Sequence, residues 1–329
     1  MQTVQPLPAE ERSSILKKKV PAFLCRLLMI FLAAALAVTH FIEAETPIWF
    51  SAVFEIVLIL VPCLLVLLFS RSSLPMAPMS GKRIFYVAGM GIFGYALSLP
   101  LNANWALIWT SIRQIDETSA FQNIELISKT PLWVLILVIA LTPAICEEFF
   151  FRGMLMKSYS YYPAAAVCMS AALFALLHYD ITRLVPTFYL GLIMGWAVTR
   201  TQNLTAGMIL HFINNAFSVI YMKLVYPLLG LSETSGQGLE GLFDYLQNNP
   251  AATGSLLIME LALFALVGLC VPLFILFLMR FIRDTADDTQ KLRMETVLMT
   301  RDHPKWIDLL FILVAAAMLI VLAVITIIG

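Results

Sequence analysis

Residues 145–155, ICEEFFFRGML, decide how this chain folds. Two adjacent carboxylates, Glu147 and Glu148, and one guanidinium, Arg152, stand in a run that is otherwise apolar. Ionised side chains are costly inside a bilayer, so those that occur there face a protein interior and by default mark a functional path. On a helix Glu148 and Arg152 lie four residues apart, on one face, with the acid on the favourable N-terminal side, and they can neutralise each other. Glu147 points about 100° away from that pair and has no local partner.

The rest of the chain supports the membrane reading. Its 329 residues are 60% hydrophobic and only 13% charged, with a mean hydropathy of +0.88, a membrane protein's composition. The 21 basic and 21 acidic residues cancel, which leaves no basic surface for nucleic acid. Cys25, Cys63, Cys146, Cys168 and Cys270 all lie in apolar segments without a pairing pattern and read as reduced core residues. The first apolar run follows basic residues, as a signal peptide would. It is too long and lacks an A-x-A-like cleavage site, so it is expected to stay as a first transmembrane helix.

Apolar stretches of about 20 residues, the length that crosses the hydrocarbon core, begin near Val20, Ile48, Ile84, Leu132, Ala164, Leu184, Leu204, Ser255 and Ile307. The expected fold is therefore all-α: a polytopic transmembrane helix bundle of about nine spans, with eight possible, and an active site in a mid-membrane cavity. Arg12 and Lys17–Lys19, then Arg71, Lys82 and Arg83, then the basic residues between Arg280 and Lys305 belong in the cytoplasm by the positive-inside rule. The loop HFIEAETP and the loop from Leu231 to Gly254 carry no Lys or Arg and belong outside. This puts the N-terminus inside, in what is expected to be a bacterial cytoplasmic membrane. Residues 101–130, with Trp105 and Trp109, and residues 231–254 read as longer connections at the interface. Three regions are expected: N-terminal helices and loops in 1–130, a catalytic core in 131–222, and an external loop with C-terminal helices in 223–329. Gly191 and Gly195 in GLIMG form a small-xxx-small step suited to close packing within the chain.

Few strongly polar side chains remain in the spans: Glu147, Glu148, Arg152, His178, His211, Asn214 and Asn215. Taken singly, an intramembrane ion pair or histidine serves structure about as often as function, a rough weighting set against the functional default. Cys146 could act as a nucleophile with a histidine base, but a cysteine in an apolar helix is more often filler. Together, one unpaired carboxylate, two imidazoles and an amide can activate water and donate hydrogen bonds to a developing oxyanion. That is the equipment of amide hydrolysis without a covalent intermediate.

These residues carry a resemblance. EEFFFR fits EExxxR, FALLH fits FxxxH and HFINN fits HxxxN, in that order and in successive helices. The segment resembles the CAAX protease and bacteriocin-processing family (CPBP, or Abi), intramembrane endopeptidases related to the type II CAAX prenyl protease. The resemblance spans roughly Leu132 to Tyr221. It implies that Glu147 activates water with His178, that Glu148 and Arg152 order the site, and that His211 and Asn215 hold the oxyanion. It implies a peptide or protein substrate at the membrane; prenylated C-termini and leader peptides both fit. Some members of the family are labelled metalloproteases, and a zinc ion would then take Glu147, His178 and His211. No HExxH or other compact zinc motif is present, so the metal-free, cofactor-free mechanism is preferred. At 1.5 Å per residue, Glu147 lies about 15 Å, His178 about 22 Å and His211 about 10 Å from the cytoplasmic ends of their helices. Convergence requires tilted or broken helices, and Pro143 is placed to break the fourth. The competing readings are a proton-coupled transporter, against which the lack of an internal repeat argues, and a non-catalytic membrane scaffold, against which the intact motif argues.

Overall fold

In a bilayer the backbone must satisfy its own hydrogen bonds, and a helix does so within one segment. The computed structural model describes residues 22–40, 47–71, 74–113, 127, 129–158, 163–178, 180–225, 250–287, 313–321 and 324, and is helical nearly throughout. Among the described residues the only strand-like pairing is an isolated bridge between Met76 and Asn203. A helix stands at each of the nine expected places: α1 (Ala22–His40), α2 (Trp49–Ser70), α3 (Gly81–Arg113), α4 (132–158), α5 (Pro163–Leu176), α6 (Leu184–Thr201), α7 (204–225), α8 (Pro250–Asp284) and α9 (313–321).

Five stretches, Trp49–Ser70, Gly81–Asn102, Leu132–Leu155, Leu204–Leu224 and Phe264–Asp284, are long and apolar enough to cross a membrane by themselves. The protein is an integral membrane, all-α bundle. Two boundaries differ from the sequence reading. Residues 101–113, read as connection, continue α3 past Pro100, and α8 begins at Pro250, five residues before Ser255. The leader, residues 114–126 and most of the loop after Leu231 lie outside the described residues.

One end of the bundle is stitched by polar contacts. Asn203 caps α7 by accepting from Thr205 N at 2.7 Å and donates through Nδ2 to Ala77 O at 2.5 Å. Leu204 N donates to Pro75 O at 2.8 Å, and Arg83 and Lys82 pair with Asp284 at 2.7 and 3.1 Å. The starts of α3 and α7 and the end of α8 are thereby fixed together. Near the far end of α7, Lys223 Nζ donates to the carbonyls of Ile127 and Thr130 just ahead of α4. So α7 is tied at both ends, and it packs on α3, α4 and α6.

Close approach of α5 and α6 depends on Gly191, where a Cβ would stand 2.9 Å from Ala171 Cα. The GLIMG step thus serves packing within the chain. Of the five free cysteines, Cys25, Cys63, Cys146 and Cys270 are buried as expected of core residues, but Cys168 is exposed on α5, a correction to the uniform core reading. Phe69, Phe85, Trp133 and Phe264 are exposed on the outer faces of these helices, as large apolar faces that meet a membrane are.

Candidate active site

Helix α4 is not a regular rod. It runs α-helical over Leu132–Leu135, π-helical over Ile136–Leu141, α-helical over Thr142–Glu148 and π-helical again over Phe149–Leu155. The first change of register has a local cause: Pro143 has no N–H for the Ile139 carbonyl one α-turn back, and it opens the middle α segment. Single π-turns occur often at functional sites because they turn side chains out of the 3.6-residue register. Here the two π segments bracket Glu147 and Glu148.

Glu148 and Arg152 are fully buried, and Arg152 Nη1 donates to Glu148 Oε1 at 2.7 Å. Arg152 Nη2 donates to Gly191 O at 3.2 Å. The guanidinium carbon also sits 4.5 Å from the centroid of the Phe174 ring, within cation–π range. His211, from α7, places Nδ1 3.2 Å from the same Glu148 Oε1 and Nε2 3.7 Å from Glu147 Oε2. The first distance is a hydrogen bond and the second is longer than one. Gly207, one turn before His211, lets α7 come this close, because a Cβ there would collide with Glu148 Oε2. Three residues from two helices, Glu148, Arg152 and His211, thus form one buried polar knot, with Glu147 on its rim and its side chain 17% exposed.

His178 is placed differently. α5 has 14 residues, about 21 Å at 1.5 Å per residue, shorter than the roughly 30 Å hydrocarbon core. It ends at Leu176 and leaves His178 in a turn, exposed, its Nδ1 2.8 Å from Phe174 O. What joins His178 to the rest is Phe174, whose ring lies edge-on to His178 at 4.9 Å and to His211 at 5.6 Å. The FxxxH phenylalanine therefore packs between both imidazoles and the Arg152 guanidinium.

Asn215 lies one turn after His211. Its Nδ2 donates to Ile139 O at 3.2 Å, and its Oδ1 accepts from Asn214 Nδ2 at 3.2 Å. A small, partly open pocket lies between α3, α6 and α7, walled by Tyr95, Tyr189, Leu210 and Asn214 among others. Glu147, His178, His211 and Asn215 are not among its walls, so it is not the cavity expected around them.

Glu55 was missed by the sequence reading. It ends the first α segment of α2, it is partly buried, and it lies within electrostatic reach of Glu147 and Cys146. Among the described residues Glu55 Oε2 and Glu147 Oε2 are both buried without a hydrogen-bond partner. A lone acid in the run SAVFEIVLIL was itself the signal that should have placed Glu55 with the other intramembrane charges.

Among the described residues no three His, Cys, Asp or Glu side chains are arranged to hold a metal ion together. Glu147, His178 and His211 therefore do not fit the zinc site that the resemblance allows, and no step below runs through a metal.

The comparison with known families shows what this segment is similar to. Residues 129–217 match the family model described as "Type II CAAX prenyl endopeptidase Rce1-like". No curated protein and no solved structure matches the chain. The matched segment runs from the start of α4 into α7 and contains EExxxR, FxxxH and HxxxN together. The resemblance read from those motifs is the same family, and it supports an intramembrane CAAX-type endopeptidase acting on a peptide substrate.

Proposed function

We propose that the chain cleaves a peptide bond in a membrane-associated or lipidated polypeptide, using water activated by Glu147. The observation that carries this reading is the placement of His211 between two carboxylates, bonded to Glu148 and facing Glu147, within the CAAX-type segment. Each of the two acids has one oxygen without a hydrogen-bond partner, but Glu147 alone keeps an exposed edge, which suits a base that must take a proton from water. Glu148 is committed to Arg152 and His211, and its role is to hold the histidine in one orientation. A doubly protonated His211 donates from both nitrogens, and that form can hand a hydrogen bond to the oxyanion as the tetrahedral intermediate develops. Asn215 supplies the second donor from the same helix face. In this reading His178, in the turn that follows α5, shares the attacking water or serves the leaving amine's side of the site.

The atoms balance without an acyl-enzyme. Water loses its proton to Glu147, the hydroxide adds to the carbonyl carbon, and the proton passes to the leaving nitrogen as the C–N bond breaks. The purified chain in lipid nanodiscs should release the C-terminal tripeptide from a farnesylated peptide ending in a CAAX sequence, read by mass spectrometry. Release of that tripeptide with equal yield from empty nanodiscs would remove the support.

A further inference from the structure

Pro143 and Asn215 meet at one atom, the carbonyl oxygen of Ile139. In a regular helix that oxygen takes the N–H four residues on, but residue 143 is proline and has none. Asn215, on the neighbouring α7, donates to it instead at 3.2 Å. A carbonyl oxygen only accepts, so the group facing it must be the amide NH₂ and not the amide oxygen. The other end of the same amide accepts from Asn214 Nδ2 at 3.2 Å, and Ser218 Oγ donates to the Asn214 backbone carbonyl at 2.9 Å. The amide plane of Asn215 is held at both ends, and one N–H of its NH₂ group remains uncommitted in these contacts.

We propose that Pro143 is a positioning residue: by withholding an N–H it leaves the Ile139 carbonyl as an anchor that orients the Asn215 amide beside His211. This rests on the reading of Asn215 as an oxyanion donor and deepens it. An asparagine side chain turns readily about its last torsion, and a donor that must be found afresh in each turnover stabilises less than one already aimed. One hydrogen of the NH₂ group is spent on Ile139 so that the other is fixed in direction. Pro143 thus acts on catalysis through Asn215 and touches no substrate.

Pro143→Ala restores a competing N–H at this turn, so Asn215 must share its anchor while the helix gains a better helix former. The experiment is a double-mutant cycle on the full chain in nanodiscs, comparing wild type, Pro143→Ala, Asn215→Ala and the double variant for both Tm and steady-state cleavage of the farnesylated peptide. Expected for Pro143→Ala is a kcat lower by about tenfold, KM unchanged and Tm equal or higher. In the Asn215→Ala background Pro143→Ala should change kcat by less than twofold. Asn215→Ala should also lower Tm less when residue 143 is alanine, because the Ile139 carbonyl then keeps a donor. Additive Tm changes would show that no anchor exists and overturn the proposal. Coupled Tm changes with kcat unaffected by Asn215→Ala would overturn it differently: the anchor would exist, but the oxyanion role on which it rests would fail. Should Asn215→Ala not accumulate, Asn215→Leu, similar in width and without a donor, takes its place in the cycle.

Discussion

Removing one member of the buried Glu148–Arg152 pair should unfold the protein far more readily than removing Glu147. Both side chains are fully buried, and the carboxylate Oε1 that takes Arg152 at 2.7 Å also takes His211 at 3.2 Å. Breaking a buried pair from one side costs about 3–5 kcal/mol, because the remaining charge is left without compensation. Arg152→Met belongs at the upper end of that range: it strands the carboxylate and also gives up the bond to Gly191 O and the face of Phe174. Glu148→Gln belongs at the lower end, since the amide oxygen still accepts one bond. With roughly 2–4 °C per kcal/mol for a chain of a few hundred residues, each single variant should melt on the order of 10 °C below wild type. The double variant should be less destabilised than the sum of the singles, because it leaves no unpaired charge behind. The assay is thermal unfolding of the purified chain in one detergent, followed by loss of the monodisperse peak. Equal melting temperatures for Glu147→Gln, Glu148→Gln and Arg152→Met would refute the division between an ordering pair and a working acid.

Three other outcomes follow from the same geometry. A reporter fused after Asp287 should read cytoplasmic and one fused at Gly236 external, because basic residues flank only the former; the reverse pattern would invert the bundle. Cleavage should survive exhaustive chelation in detergent, since no three ligating side chains converge among the described residues; loss of activity with recovery on added Zn²⁺ would show that the ligands assemble only when metal binds. Glu55→Gln should leave Tm within a few degrees of wild type or raise it, because two carboxyl groups in reach of each other, each with a buried oxygen lacking a partner, are costly to keep ionised together; a fall as large as that of Glu148→Gln would give Glu55 an ordering role of its own.

What the sequence made legible was local. The Glu148–Arg152 pair and the stacking of Phe174 over His178 follow from four-residue spacing alone, and both are present. The break expected at Pro143 is not: α4 continues through residue 143, and only its return from π to α register falls there. The contact of His211 with Glu148 joins residues 63 positions apart, and no periodicity encodes it; the ordered motifs put both residues in one site without pairing them. The π segments of α4 were invisible for a related reason, since they rotate side chains away from the 3.6-residue period from which faces are read. Glu55 escaped because its neighbour Glu147 is on a different helix and its own run carries no motif. His178 illustrates another case: simple counting of rise per residue placed it at a different depth from His211, and in the structure one ring, Phe174, packs against both imidazoles.

The central claim is that Glu147 takes the proton from the attacking water. Glu147→Gln keeps the size of the side chain and its hydrogen-bonding reach but cannot accept that proton, and Glu147 makes no hydrogen bond through its buried oxygen that the fold would miss. The direct measurement is the single-turnover rate of farnesyl-peptide cleavage by folded Glu147→Gln in nanodiscs, beside wild type at the same protein concentration. The account predicts a rate lower by at least the roughly 10² to 10⁴ that acid–base catalysis supplies; cleavage at the wild-type rate would contradict it.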